Sequence, residues 1–227
     1  MTERLLPFDM DVCSRLIDLY CPSSIKERFK KSAAEVHPDC ILRLYLGKQH
    51  QQGRNSRLMS FTLNNLPLWV DRARTLDLDT LEYARTIGNG MALLHWVAEI
   101  DAADIEWVLA PPRAEQDEGV MDCEALGRHA LWVIDFDRCR AIELSESGVW
   151  HAVAAPWRNH PYYPRPGQQD EQDQALWDGF KEAFLQTSHE VLAKADHHLW
   201  MDLVEKEGLS HHLLPDSCHQ PMTSQAT

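Results

Sequence analysis

The chain has 227 residues, 44% of them hydrophobic, and 22 Lys and Arg against 35 Asp and Glu give a formal net charge of −13. That length and apolar share suit one globular domain with a full core. Without an apolar run of about 18 residues, and with a start (MTERLLPFDMDVCSRL) unlike a secretory signal, a membrane or exported protein is not expected and a cytoplasmic one is. The six cysteines, Cys13, Cys21, Cys40, Cys123, Cys139 and Cys218, form no CxxC pair, which argues against a zinc ribbon or a disulfide framework.

Charge is unevenly spread. Residues 1–85 hold 13 basic against 11 acidic side chains, and residues 86–227 hold 9 against 24. Between residues 23 and 60, Lys26, Arg28, Lys30, Lys31, Arg43, Lys48, Arg54 and Arg57 face only Glu27, Glu35 and Asp39. A basic front and an acidic body suggest a partner with a polyanionic and a cationic part. A solvated helix face followed by an exposed loop accounts for the same counts.

In chain order, the apolar spacing predicts a helix over 10–20, ended before Pro22, and a second over 25–36, capped by Ser23-Ser24 and stopped by Pro38. CILRLYLG (40–47) and RLMSFTL (57–63) read as strands joined by a polar, basic loop, hence a hairpin. NNLPLWVDRARTL suggests a short helix. Residues 78–98 form the firmest predicted helix, started by Asp79-Thr80 and delivering His95 and Trp96 to an acidic loop, IDAADIE. WVLA (107–110) and LWVID (131–135) read as central strands, separated by an acidic surface insertion over 111–129 and followed by a further strand, CRAIEL. The stretch 154–173 contains four prolines and is expected to wrap irregularly against the body. Helices over 172–194 and 197–207 and a disordered tail from 208 complete the chain.

Five carboxylates, Asp101, Asp104, Glu106, Asp135 and Asp137, thus fall at the ends of the two central strands or in the loops beside them. An Asp there is often only a turn former or cap. Here the attached strands are apolar, which draws the carboxylates toward the interior, where each needs a partner. Pairing the strands would gather them into a cation-binding cleft. His95 reads either as a core histidine or as a base. No GxGxxG, GxxxxGKS, GxSxG or HExxH is present, and no metal or cofactor site is expected.

The central stretch resembles the C-lobe of protein kinases and aminoglycoside phosphotransferases. Asp101 stands where the catalytic Asp would be, Glu106 where the metal-binding Asn would be, and Asp135-Phe136-Asp137 where Asp-Phe-Gly would be. No glycine-rich loop or nucleotide-binding Lys strand precedes it. The fold implied is α+β: a degenerate kinase-like C-lobe, mainly helical with short β-hairpins, its N-lobe truncated or absent. It would be one domain over 1–207, with 1–38 a helical extension.

A more specific resemblance is to small fungal proteins long classed as domains of unknown function and sometimes described as zinc-finger proteins. It spans roughly residues 40–207 through CILRLYLG, YARTIGNGMALLHWVAEIDAADIEWVLA, LWVIDFDRC, NHPYYPRP and ALWDGFKEAFL. The family usually carries Phe at Trp107 and Asp at His160. It includes the arginine-containing cyclodipeptide synthases. The resemblance implies synthesis of a cyclo-Arg-Xaa diketopiperazine from Arg-tRNA and a second aminoacyl-tRNA by two aminolyses, with neither ATP nor cofactor. On that implication Asp101, Asp104 and His95 serve proton transfer, and Glu106, Asp135, Asp137 and Trp96 surround the arginyl group. Lys26, Arg28, Lys30, Lys31, Arg54 and Arg57 would track the tRNA phosphates. The competing expectations are a small-molecule kinase, an inactive kinase-like binding module, or an interaction protein using Tyr162-Tyr163-Pro164.

Overall fold

The computed structural model describes residues 4–36, 39–50, 61–114, 119–143, 145, 147–150, 152, 154 and 161–194. Its elements are α1 (Met10–Tyr20), α2 (Lys26–Val36), β1 (Leu42–Tyr45), β2 (Leu66–Trp69), α3 (Val70–Thr75), α4 (Thr80–Trp96), β3 (Glu106–Ala110), β4 (Val120–Cys123), β5 (Gly127–Ile134) and α5 (Glu171–Lys194). The strands form one mixed sheet in the order β2-β1-β3-β5-β4, so the α+β class holds. No helix among the described residues is long and apolar enough to cross a membrane.

Local chemistry sets the helices. Asp9 caps α1 by accepting from the Val12 N–H at 2.9 Å, and Val12, Cys13, Leu16 and Ile17 form its buried stripe. Asp79 caps α4 by accepting from the Glu82 N–H at 3.0 Å. Tyr83, Ala84, Ile87, Gly88, Met91, Ala92, His95 and Trp96 recur on its buried face at helical spacing. That face packs against α5. Gly88 is required there, because a Cβ would lie 2.4 Å from the Phe180 carbonyl oxygen. Trp96 Nε1 donates to Ser188 Oγ at 2.8 Å across the same interface.

Several expectations need correction. β1 is not in a hairpin with 57–63: it pairs in parallel with β2, Leu42 opposite Leu66 and Tyr45 opposite Trp69. Residues 51–60 lie outside the described residues, and 61–63 are not strand. LPLW, expected to be helical, is a strand because Leu66 and Leu68 alternate inward, and its Pro67 is tolerated because β2 is the sheet edge. The supposed surface insertion contains β4, which turns at Gly127 (φ 62°) into β5. CRAIEL forms only an isolated bridge, Ile100 opposite Ala141. Within the Pro-rich stretch, Tyr162 and Tyr163 are buried, and residues 155–160 lie outside the described residues. The helix over 197–207 and the tail lie outside the described residues.

Candidate functional site: an acidic strand end

β3 and β5 run antiparallel with Glu106 opposite Ile134, so the entry to β3 and the exit from β5 share one end of the sheet. The loops there are tied together. The Asp101 N–H donates to the Arg140 carbonyl at 2.9 Å, and Asp101 Oδ1 accepts from the N–H groups of Ala103 at 3.1 Å and Arg140 at 2.9 Å. Four residues here, Glu99, Ala102, Asp104 and Asp135, hold φ between 50° and 67°. For Ala102, which is fully buried, that left-handed backbone is strained and is maintained by its surroundings.

Carboxylates converge at this end. Glu106 pairs with Arg43 of β1 at 2.9 Å, their side chains 14% and 30% exposed. Burial raises the Glu106 pKa; Arg43 opposes that, Asp135 adds to it, a hydrogen bond with Tyr162 lowers it, and Asp104 raises it again. Burial pulls the Arg43 pKa down, but Tyr162, Glu106 and Tyr45 outweigh it and hold the guanidinium charged. The Asp135 carboxyl lies above its ordinary range, chiefly because it hydrogen-bonds with Asp137. Asp104 makes an exposed contact of 3.3 Å with Arg138. Cys139 lies amid the cluster, its thiol 3.7 Å from the Ala103 carbonyl. Burial raises its pKa first, and Asp101, Asp137, Asp135 and Asp104 each raise it further. One thiol therefore feels carboxylates from both chain segments. Asp101 also lines a cavity of about 310 Å³ with Arg140, Ile142, Glu143 and Ser147.

Asp101, Asp104, Glu106, Asp135 and Asp137 are thus brought together, whereas His95 and Trp96 are not in the exposed cleft. His95 is 1% exposed and ringed by Trp96 and Phe184; burial lowers its pKa to about 4, opposed by the charge and the backbone of Asp101, which His95 meets from inside the core. Trp96 belongs to the α4–α5 interface. Two of the expected basic residues are engaged within the chain. Lys26 donates to the Asp18 carbonyl at 2.6 Å and Lys30 pairs with Asp18 at 2.6 Å. Phe29 packs α2 on Phe61, near the Cys40–Asn64 bridge that precedes β1 and β2. Arg54, Arg57 and His160 lie outside the described residues.

Sequence reasoning missed Arg43, Tyr45, Tyr162 and Cys139 as members of the site. A signal existed for Arg43, since a cation between the buried Leu42 and Leu44 needs a partner.

A family model, DUF3669, described as zinc finger protein, matches residues 131–196, under a third of the chain. No curated protein and no solved structure matches. The matched segment has one cysteine, Cys139, and no three His, Cys, Asp or Glu side chains among the described residues are grouped to hold a metal. These residues do not fit the four-ligand site of a zinc finger.

Proposed function

We propose that the acidic strand end grips a cationic amino-acid moiety, and that the chain makes an arginine-containing cyclodipeptide from Arg-tRNA and a second aminoacyl-tRNA. The observation that carries the reading is the convergence of Asp101, Asp104, Asp135 and Asp137 on one strand end, registered by Cys139. The family resemblance supplies the reaction, and the fold is taken as a kinase-like C-lobe lacking its N-lobe. A guanidinium is planar and suits adjacent carboxyls. On this reading it lies against Asp135 and Asp137, and its positive charge offsets the influence by which Asp137 raises the Asp135 carboxyl. Glu106, already held by Arg43, shapes the floor rather than binding the substrate alone.

The chemistry is two aminolyses of an activated ester. An uncharged α-amine attacks the second aminoacyl ester carbonyl; the C–N bond forms, the C–O bond to the ribose breaks, and the ribose oxygen takes the proton. That step frees the second tRNA and leaves the dipeptide esterified to the arginine tRNA. The dipeptide's free amine then attacks this remaining ester carbonyl, closing the ring, and the arginine tRNA leaves with the proton on its ribose oxygen. Asp104 and Asp101 are the carboxylates assigned to proton transfer. His95 stays in the core and positions the Asp101 loop.

Expression in a bacterium, with mass analysis of the medium, tests this. Cyclo-Arg-Xaa is expected from the wild-type chain and not from Asp101→Ala or Asp135→Ala. Soluble protein without such products would sink the proposal.

The order of α4, acidic loop, β3, β5 and Asp135-Phe136-Asp137 also favours a second reading, a small-molecule kinase or an inactive kinase-like binding module. That reading predicts metal-dependent nucleotide binding, which the first does not require.

A further inference from the structure

The cysteines show no paired spacing in the sequence, yet the fold brings two of them together. Cys13 lies on the buried stripe of α1, and Cys40 lies just ahead of β1, where it bridges to Asn64. Phe8 joins the two. Its N–H donates to the Cys40 carbonyl at 2.9 Å, and its own carbonyl accepts from the Cys13 thiol at 3.7 Å. The two thiols also share a hydrogen bond, in which Cys40 donates to Cys13. That bond is the main cause holding the Cys13 pKa down, against burial and Asp9. It is also the main cause raising the Cys40 pKa, and burial raises it further. The other described cysteines are placed differently. The Cys21 thiol meets the Pro22 carbonyl at 3.7 Å, Cys123 accepts from the Leu126 N–H at 3.3 Å, and Cys139 sits among the acidic groups.

Both thiols are buried, but the segment that contacts them is lightly held. Residues 4–8 run ahead of α1 as neither helix nor strand. Among the described residues, the ties of this segment are the Phe8 contacts and an exposed ion pair, Arg4 with Asp39 at 2.8 Å. An ion pair in water contributes little. A terminal segment with so few backbone bonds opens before the rest of the fold does. Its opening removes Phe8 from both cysteines and admits a small solute to the sulfurs.

We propose that Cys13 and Cys40 form a reversible disulfide, made by exchange with a low-molecular-weight disulfide such as oxidised glutathione. Disulfide formation needs side chains that point at one another, which the thiol–thiol hydrogen bond already supplies. Cys13, the more acidic thiol, loses its proton to water and attacks one sulfur of the oxidant; the oxidant's S–S bond breaks and one glutathione leaves as thiolate. The Cys40 sulfur then attacks the Cys13 sulfur of the mixed disulfide, its proton passes to water, and the second glutathione leaves. The protein loses two hydrogens and two electrons, and the oxidant becomes two glutathione thiols. The new bond staples α1 to the start of β1 and restrains the unfolded chain. Excess thiol reverses it.

The test treats full-length protein with oxidised glutathione, blocks free thiols by alkylation, digests without reductant and maps the peptides by mass spectrometry. A linked Cys13–Cys40 pair is expected, two hydrogens lighter than its reduced parts and lost on adding dithiothreitol. Oxidation should raise the Tm of the wild-type chain by about 5 °C. Cys13→Ser and Cys40→Ser should show neither the pair nor the shift, and Cys21→Ser should keep both. If the first two variants do not fold, the wild-type peptide map decides. Glutathione retained on Cys13 without linkage to Cys40, linkage to a different cysteine, or unmodified thiols at both positions in the treated wild-type chain would overturn the proposal.

Discussion

Replacing Arg43 by Met removes the cation that holds Glu106. Breaking a buried pair costs about 3–5 kcal/mol, because the remaining charge is left uncompensated. Here the side chains are 30% and 14% exposed, so solvent recovers part of that cost and about 2 kcal/mol at pH 7 is expected. For a chain of this length that is a fall in Tm of about 4–8 °C. The loss should depend on pH. Burial already holds the Glu106 pKa above its ordinary value, and loss of Arg43 raises it further. A carboxyl raised in the folded state favours folding at low pH, and that contribution disappears as pH rises through its folded pKa. Arg43→Met should therefore lie close to wild type near pH 4 and fall behind toward pH 7. Glu106→Gln in the same chain should restore about 1 kcal/mol by removing the orphaned charge. Urea denaturation at several pH values measures all of this. A loss under about 0.5 kcal/mol at pH 7, or an equal loss at both pH values, would refute the reasoning.

Other consequences follow from the same geometry. His95, with its folded pKa near 4, stays neutral in the core while the unfolded chain protonates it, so stability should fall as pH drops from about 6.5 to about 4. His95→Phe should remove on the order of 3 kcal/mol of that dependence and change stability at pH 7 by at most about 1 kcal/mol; an unchanged acid limb contradicts the assignment. Gly88→Ala gains about 1 kcal/mol of helix propensity but sets its Cβ 2.4 Å from the Phe180 carbonyl oxygen, so a net loss of about 1–3 kcal/mol is expected in denaturation. A stabilised Gly88→Ala would mean that α4 and α5 are packed differently.

The parts legible in the sequence were those set locally. Asp79 and the recurrence of Ala84, Ile87, Gly88, Met91 and His95 define α4 without reference to the rest of the chain. The carboxylates at the entry to β3 and exit of β5 were legible because each is attached to an apolar strand. What failed depended on remote pairing. Nothing local to CILRLYLG says that its neighbours are β2 in parallel and β3 antiparallel, and only the second brings Arg43 to Glu106. His95 and Trp96 end α4 and follow Met91 and Ala92 by four residues, which places them on the buried stripe, so His95 reaches Asp101 of the acidic loop from inside the core and Trp96 turns to α5. The basic count over 23–60 summed residues of different elements: Lys26 and Lys30 of α2 are engaged with Asp18, and Arg43 of β1 with Glu106.

The central claim is that carboxylates from two chain segments grip a guanidinium, and calorimetric titration with argininamide and its isostere citrullinamide, whose ureido side chain carries no charge, tests it most directly. The account predicts that argininamide binds and citrullinamide does not. Because the Asp135 carboxyl is raised by Asp137, affinity should increase as pH rises above the ordinary carboxylate range, with proton release on binding. Asp135→Asn should abolish that pH dependence. Equal binding of the two amides, or no binding of either by the folded wild-type chain, would contradict the account.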